Sequence, residues 1–441
     1  MIVRFPPSPT GNLHIGGART ALFNYLFAKK HGGKIYLRLE DTDRERSKPE
    51  FERNILDGLA WLDLAADTLP DGKELWRQSE RADVYRTHLK KLVASGAAYL
   101  SQEKERERRE VVRFKNPGSL ITFHDIIRGP ITFDTKELGD FVIAKSIEEP
   151  LYHLAVVIDD AALGITHVIR GEDHISNTPR QILLQRALGF AEPLYAHIPL
   201  ILAPDRSKLS KRHGAVAVTE YREQGYLPEA LVNYLALLGW NPGTDREIFS
   251  LDELAEQFDL KRVQRGGAIF NAEKLNWINK EWLRTLPPDV SERAVRSALA
   301  TETPRIKEDV LARALPTILE RIGKWGDVRA LAEAGELDYL RAAPKVDPAH
   351  LPWKGEPIES TREHLAEAAG RLERVAGAFS KDAITLALMP YAEEKGKGNV
   401  LWPVRFALSG REKSPDPFTL AYILGKEETL RRLAAASNLL S

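Results

Sequence analysis

The sequence predicts an α/β parallel-sheet domain with a small β-rich insertion, followed by an all-α C-terminal half. Three observations carry this. Strand-like apolar runs alternate with helical periodicity over residues 1–100, the signature of parallel strands joined by crossover helices. Short β-like pieces replace that texture from 101 to 165. Beyond about residue 220 strand signals almost vanish, and helical patterns run to the end.

In chain order, Ile2–Phe5 reads as a strand and Pro6–Gly11 as a turn. Leu22, Phe23, Leu26 and Phe27 recur at helical spacing, and Gly32-Gly33 closes that helix. Lys34–Leu39 alternates as a strand and runs into Glu40-Asp41-Thr42-Asp43. Helices are expected near 49–62 and 80–95. The mixed charge run Glu103–Arg113 reads as a solvated helix or loop. Leu120–Phe123, Pro130–Phe133 and Phe141–Ala144 are the β pieces of the insertion. The α/β texture resumes with a strand at His167–Arg170, a helix at 178–188 and a strand at Ile198–Leu202. Helical segments follow at Pro228–Leu238, Leu251–Phe258 and Asn271–Leu283. Proline-containing breaks at Pro287-Pro288, Pro344–Pro352 and Lys413–Pro417 divide the remainder.

Composition narrows the function. The 441 residues include no cysteine, which excludes disulfides, Fe–S clusters, thiol catalysis and Cys-based zinc sites. No apolar run approaches the length of about 18 residues that a membrane span needs. The N-terminus lacks the charged leader and apolar stretch of a secretory signal, so a cytoplasmic location is expected. Lys plus Arg number 63 and Asp plus Glu 63, which argues against gripping nucleic acid by bulk positive charge. Net charge alone favours a small-molecule enzyme.

Two segments carry chemistry. Pro7-Ser8-Pro9-Thr10-Gly11-Asn12-Leu13-His14-Ile15-Gly16-Gly17 follows a strand and opens a helix, whose exposed N–H groups and dipole suit polyphosphate. Gly16 and Gly17 admit a nucleotide close to the backbone, and His14 can donate to phosphate oxygens as their charge grows. Ser207-Lys208-Leu209-Ser210-Lys211-Arg212-His213-Gly214 also follows a strand, and its three cations within five residues make an anion-binding loop.

Together these segments resemble the two signature motifs of the class I aminoacyl-tRNA synthetases. His14-Ile15-Gly16-Gly17 is similar to the HIGH-type motif in the variant of the glutamyl branch, and Lys208-Leu209-Ser210-Lys211-Arg212 to the KMSKS-type motif. Arg4–Gly11, Leu39–Asp43, Val168–His174, Gly225–Leu231, Ala407–Arg411 and Leu424–Glu427 point the same way. Nearly the whole chain resembles the bacterial-type glutamyl-tRNA synthetase family. The resemblance implies a Rossmann-type catalytic domain over 1–100 and 166–225, an acceptor-end-binding insertion at 101–165, a helical stem-contact region at 226–300 and a helical anticodon-binding region at 301–441. It implies two-step glutamylation of tRNA through glutamyl-adenylate, with Mg2+-ATP as substrate. His14, Lys208 and Lys211 would be catalytic. Thr10, Gly11, His14, Gly16, Gly17, Glu172, Lys208 and Lys211 would hold ATP, with Asp173 beside Glu172 near the adenosine. Arg4, Ser8, Glu40, Tyr152 and Arg170 would line the glutamate site. Physically, Arg4 and Arg170 end two strands and either suits the γ-carboxylate bidentately; the resemblance implies that Glu40 faces the ammonium.

The partners implied are L-glutamate, ATP and tRNA-Glu, tRNA-Gln or both, with a monomer expected. Trp325, Arg321, Trp402 and Arg405 are anticodon candidates by residue type alone. The segment between Leu100 and Ile121 is shorter than in many relatives, which often carry a Cys-based zinc site there. His88, His124 and His153 are too scattered to replace it, so no structural zinc is expected. Rival readings are a small-molecule nucleotidyltransferase, a queuosine-glutamylating relative, a glutaminyl-tRNA synthetase and a catalytically inactive RNA-binding paralogue. The helical C-terminal half and the intact motif residues disfavour them.

Overall fold

In the computed structural model, β1 (Ile2–Phe5), β2 (Lys34–Leu39) and β3 (Trp76–Arg77) pair in parallel, with Arg4 opposite Tyr36 and Arg38 opposite Trp76. Helices α1 (Ile15–Lys30) and α2 (Pro49–Trp61) connect them. The structure describes residues 1–102, 110–207, 209, 217–300 and 304–441, and the chain divides into two units, Met1–Trp282 and Leu283–Ser441.

After α3 (Ala82–Ala94) come β4 (Ala98–Gln102), β5 (Glu110–Phe114), β6 (Leu120–Asp125), β7 (Gly129–Asp134), β8 (Phe141–Ser146) and β9 (Glu149–Pro150). Four of these make an antiparallel sheet in the order β4-β5-β8-β9, while β6 and β7 form a hairpin. The chain returns through α4 (Tyr152–Ala162), β10 (His167–Gly171), α5 (Thr178–Leu188) and β11 (Leu194–Ile198). β10 and β11 are parallel, and β6 joins the far side of β11, with Asp125 opposite Tyr195. β10 also runs beside β1, where the Thr166 N–H donates to the Ile2 carbonyl at 2.9 Å. A Rossmann-type parallel sheet results.

The first unit closes with β12 (Ile201–Leu202), α6 (Val218–Glu223), α7 (Pro228–Leu237), α8 (Leu251–Gln257), β13 (Ala268–Ile269) and the start of α9 (Ala272–Thr285). One core, including Val3, Leu22, Phe23 and Ile278, fills the α1 side of the sheet, with Phe23 edge-on to Phe258. A second, including Tyr36, Tyr85, Leu154 and Val168, lies under α3 and α4. The second unit is helical: α10 (Pro288–Ala298), α11 (Glu308–Arg321), α12 (Gly326–Glu333), α13 (Ile358–Glu373), α14 (Lys381–Lys395), α15 (Lys397–Ser409), α16 (Pro417–Leu424) and α17 (Lys426–Asn438). No described helix is long and apolar enough to cross a membrane.

Two sequence expectations need correction. Residues 110–113, expected to be a solvated helix or loop, form most of β5, because Val111 and Val112 are buried between charged neighbours. Glu103–Arg109 lie outside the described residues. The strand expected at Ile198–Leu202 is two pieces, β11 ending at Ile198 and β12 beginning at Ile201. Pro199 has no N–H to continue the ladder.

Candidate active site

The strand order β3-β2-β1, then β10-β11, reverses direction between β1 and β10. The carboxyl ends of strands at such a reversal open a crevice where ligands collect. Arg4 of β1 and Arg170 of β10 flank it, and Glu40 follows the end of β2.

The period of two along a strand puts Arg4, Tyr36, Arg38 and Glu40 on one face, beneath α4. There Asp160 of α4 accepts at a single oxygen, Oδ1, from Arg4 Nε at 3.1 Å and from an Arg38 terminal nitrogen at 2.6 Å. Arg38 donates onward to Glu40 Oε1 at 3.1 Å. All four side chains are buried. Burial pushes the Asp160 carboxyl up, but the Arg4 and Arg38 guanidiniums more than reverse this and hold it below the usual carboxylate range. Burial raises Glu40, against the pull of Arg38 and Arg4. One terminal nitrogen of Arg4 is buried without a hydrogen-bond partner among the described residues. An orphaned buried N–H of this kind costs about 1–3 kcal/mol, which an acceptor placed there would recover; Arg38 Nε in the same network is likewise without a partner among the described residues.

Tyr152 opens α4, and its hydroxyl lies 3.2 Å from His174 Nδ1. Its phenol is pushed up by burial and then by the charge of Glu40, which places it by the same pocket. Arg170 donates to His197 Nε2 at 3.2 Å, Gln181 Oε1 at 2.7 Å and Thr178 Oγ1 at 2.8 Å, all neutral partners. Ser8 is exposed, and its carbonyl accepts from Thr10 N at 2.8 Å. The Glu40 N–H donates to the Pro7 carbonyl at 3.0 Å, fastening the Pro6–Gly11 turn to the end of β2.

His14 is the N-cap of α1, and its Nδ1 accepts from Gly17 N at 3.2 Å. A neutral imidazole accepting at Nδ1 carries its proton on Nε2, so the exposed ring presents an N–H beside the helix N-terminus. A Cβ at Gly16 would lie 3.0 Å from the His14 ring, and one at Gly17 would lie 3.2 Å from Leu13. Both glycines thus keep the cap geometry and the approach open. At Gly11 a Cβ would meet nothing, so that position is not sterically restricted. His14 bridges antiparallel to Ala217, and Val218 N donates to Leu13 O at 2.8 Å. Leu209 N donates to Ile201 O at 3.1 Å. Ala217, the first described residue after the Lys-rich segment, therefore lies on the His14 loop. Lys208 and Lys211 themselves lie outside the described residues.

Glu172 accepts from Leu200 N at 2.6 Å and pairs with Arg128, so both its oxygens serve the protein. Asp173 beside it is exposed. Sequence reasoning missed Arg38, Asp160, Asp125 and His197. The visible signal was Asp159-Asp160 inside the apolar run Leu154–Ala162, two carboxylates that a buried helix tolerates only with partners. Asp159 takes its own, accepting from Gln78, Arg81 and Tyr85 at 3.0, 2.8 and 2.7 Å.

In the second unit, Trp402 and Arg405 lie one turn apart on α15, with the guanidinium 4.8 Å from the ring centroid. Trp402 Nε1 donates to His350 O at 2.9 Å. Arg321 pairs with Glu336, and Trp325 precedes α12. Among the described residues no group of three His, Asp or Glu could hold a metal ion.

Residues 1–108 and 100–277 match the family described as tRNA synthetases class I (E and Q), catalytic domain, and 273–437 match the anticodon binding domain. The fold and these matches are those of a class I aminoacyl-tRNA synthetase. The chain is 41% identical to a glutamate–tRNA ligase of Carboxydothermus hydrogenoformans and 40% identical to one of Thermodesulfovibrio yellowstonii, each over 98% of both chains. A solved glutamate tRNA ligase from Elizabethkingia meningosepticum, in complex with its amino acid, superposes with a TM-score of 0.89 at 32% identity over 100% of both chains. Within the class I synthetases, this chain belongs to the glutamate–tRNA ligase family.

Proposed function

We propose that the chain activates L-glutamate with ATP and transfers it to the terminal adenosine of tRNA-Glu, tRNA-Gln or both. In the first step an α-carboxylate oxygen attacks the α-phosphorus, forming glutamyl-adenylate as the bond to pyrophosphate breaks. In the second, a ribose hydroxyl of the terminal adenosine attacks the activated carbonyl and AMP leaves. Positioning and charge stabilisation suffice for this chemistry, so no side chain need become covalently attached. Mg2+ enters with ATP and neutralises phosphate charge.

On this reading the roles are these. Arg4 and Arg170 take the side-chain carboxylate, Glu40 faces the ammonium, and Ser8 and Tyr152 complete the wall. His14, with Thr10, Gly11, Gly16 and Gly17, receives the phosphates; Glu172 shapes the adenosine end through Arg128 and Leu200. Lys208 and Lys211 supply positive charge to the phosphates. The observation that carries the reading is the orphaned, buried nitrogen of Arg4 within reach of the Glu40 carboxylate field. An acceptor and an ammonium on one ligand match that pair. We assign acceptor-end binding to 101–165, stem contacts to 226–300 and the anticodon to 301–441, in a cytoplasmic monomer that needs no structural zinc.

The test is aminoacylation with labelled glutamate, using purified tRNA-Glu and tRNA-Gln separately. Charging of either is expected. Failure with both would remove the reading and leave an inactive RNA-binding paralogue.

A further inference from the structure

Arg170 and His197 are register partners on the parallel strands β10 and β11. Arg170 Nε donates to His197 Nε2 at 3.2 Å. Behind the imidazole lies Asp125, at the end of β6: its Oδ2 is 2.7 Å from His197 Nδ1 and accepts from His197 N at 3.0 Å. Its Oδ1 accepts from Ile127 N and Arg128 N at 3.0 and 2.9 Å. The side chains of Asp125 and His197 are both completely buried.

The proton positions follow from donor counting. Asp125 is held below the usual carboxylate range: burial opposes its charge, but His197 and the two backbone N–H groups outweigh that. An ionised carboxylate only accepts, so His197 Nδ1 carries the hydrogen. Burial lowers the imidazole's own affinity for a second proton, so the ring stays neutral and Nε2 keeps its lone pair for Arg170. The Thr178 hydroxyl, 3.2 Å from Nε2, accepts from Arg170 at 2.8 Å and has the His174 carbonyl as its own acceptor at 3.3 Å.

Arg170 is treated differently from Arg4. Asp160 touches Arg4 directly, whereas every acceptor on Arg170 is neutral and the nearest carboxylate of this chain of contacts stands one imidazole away. A carboxylate placed directly on Arg170 would compete with an incoming anion. Relayed through a neutral ring, it fixes the guanidinium's orientation and leaves the charge for the ligand.

We propose that Asp125 and His197 are positioning residues for amino-acid recognition: Asp125 locks the His197 tautomer, and the ring's free lone pair aims Arg170 at the carboxylate of the bound amino acid. This rests on the reading that Arg170 binds the amino acid. Asp125→Asn would turn an amide donor toward Nδ1, move the ring proton to Nε2 and set it against Arg170 Nε–H. Gln at position 197 offers an amide oxygen to Arg170 whatever stands at 125.

The experiment measures steady-state aminoacylation by the full chain, varying glutamate and ATP separately, with folding checked by circular dichroism. Asp125→Asn and His197→Leu should each raise KM for glutamate about tenfold or more, a loss of one buried hydrogen bond, with KM for ATP within about threefold of wild type. The double variant Asp125→Asn with His197→Gln should recover most of the glutamate KM, a rescue that a merely structural role would not produce. A double variant as poor as Asp125→Asn, or an unchanged glutamate KM in Asp125→Asn while Arg170→Lys raises it, overturns the relay. If Arg170→Lys leaves the glutamate KM unchanged, the assignment of Arg170 to the amino acid fails instead. Should Asp125→Asn not fold, His197→Gln against His197→Leu asks the same question, and equal KM values reject the proposal.

Discussion

At the scale of single residues, Asp160 joins two strands to α4, since one of its oxygens holds both Arg4 and Arg38. Breaking a buried ion pair by removing one partner costs about 3–5 kcal/mol. Asp160→Asn should therefore lower the denaturant midpoint markedly, whereas a half-exposed carboxylate such as Asp43, paired only with the exposed Arg46, should give far less of this effect when changed to Asn. A midpoint shift no larger than that of Asp43→Asn would show that the pair contributes little. If His14 donates to the phosphates as proposed, His14→Ala should lower adenylate formation on the order of 10²–10³-fold with the fold intact. Lys211→Ala should slow the same step severely, and full activity would remove the Lys-rich segment from the mechanism. Arg4 and Arg170 stand out in the sequence as arginines at strand ends and Glu40 through the family resemblance of Leu39–Asp43, and all three side chains are buried. Asp160, Asp125 and His197 were not legible in this way. Their importance lies in a partner brought over from another element, which spacing along the chain does not report.

At the scale of elements, α17 shows how a helix is fastened to its neighbours. Glu428 accepts from Arg431 and Arg432, and Arg432 donates onward to Leu408 O at 2.6 Å and Ala342 O at 3.1 Å. These hydrogen bonds hold the Glu428 carboxyl down at about 2. A folded-state value below the unfolded one gives stability that is present above about 4.5 and lost as pH falls toward about 2. Glu428→Gln should thus lower the thermal midpoint at neutral pH, with the gap to wild type closing over that acid window. A gap independent of pH would assign the loss to packing. The long, periodic helices were readable from sequence, as were strands with apolar alternation. β4 and β5 were hidden because the charge run Glu103–Arg113 resembles a solvated surface, although Val111 and Val112 within it turn inward.

For the whole molecule, the equal counts of 63 cationic and 63 anionic residues misdirect. A family member with an anticodon binding domain at 273–437 meets a polyanion with a neutral body, so the contacting charge must be local. tRNA affinity should then fall as salt rises from about 50 to 200 mM, while KM for glutamate, set in a buried pocket, changes little. Filter binding beside steady-state kinetics separates the two, and parallel loss of both would contradict the local-contact view. The absence of cysteine was the more informative count, since it removes whole chemistries at once.

The network of Arg4, Arg38, Arg170, Asp160 and Glu40 has a further consequence when its charges are sorted by distance. Three guanidiniums meet two carboxylates at close range, and a third carboxylate, Asp125, is set back behind the neutral ring of His197. All of these side chains are buried, so little water screens them. On the proposed reading, that local excess of positive charge favours glutamate, which brings a net negative charge, over glutamine, which matches it in size and brings none. Selectivity for the acid over its amide then has an electrostatic part beside shape.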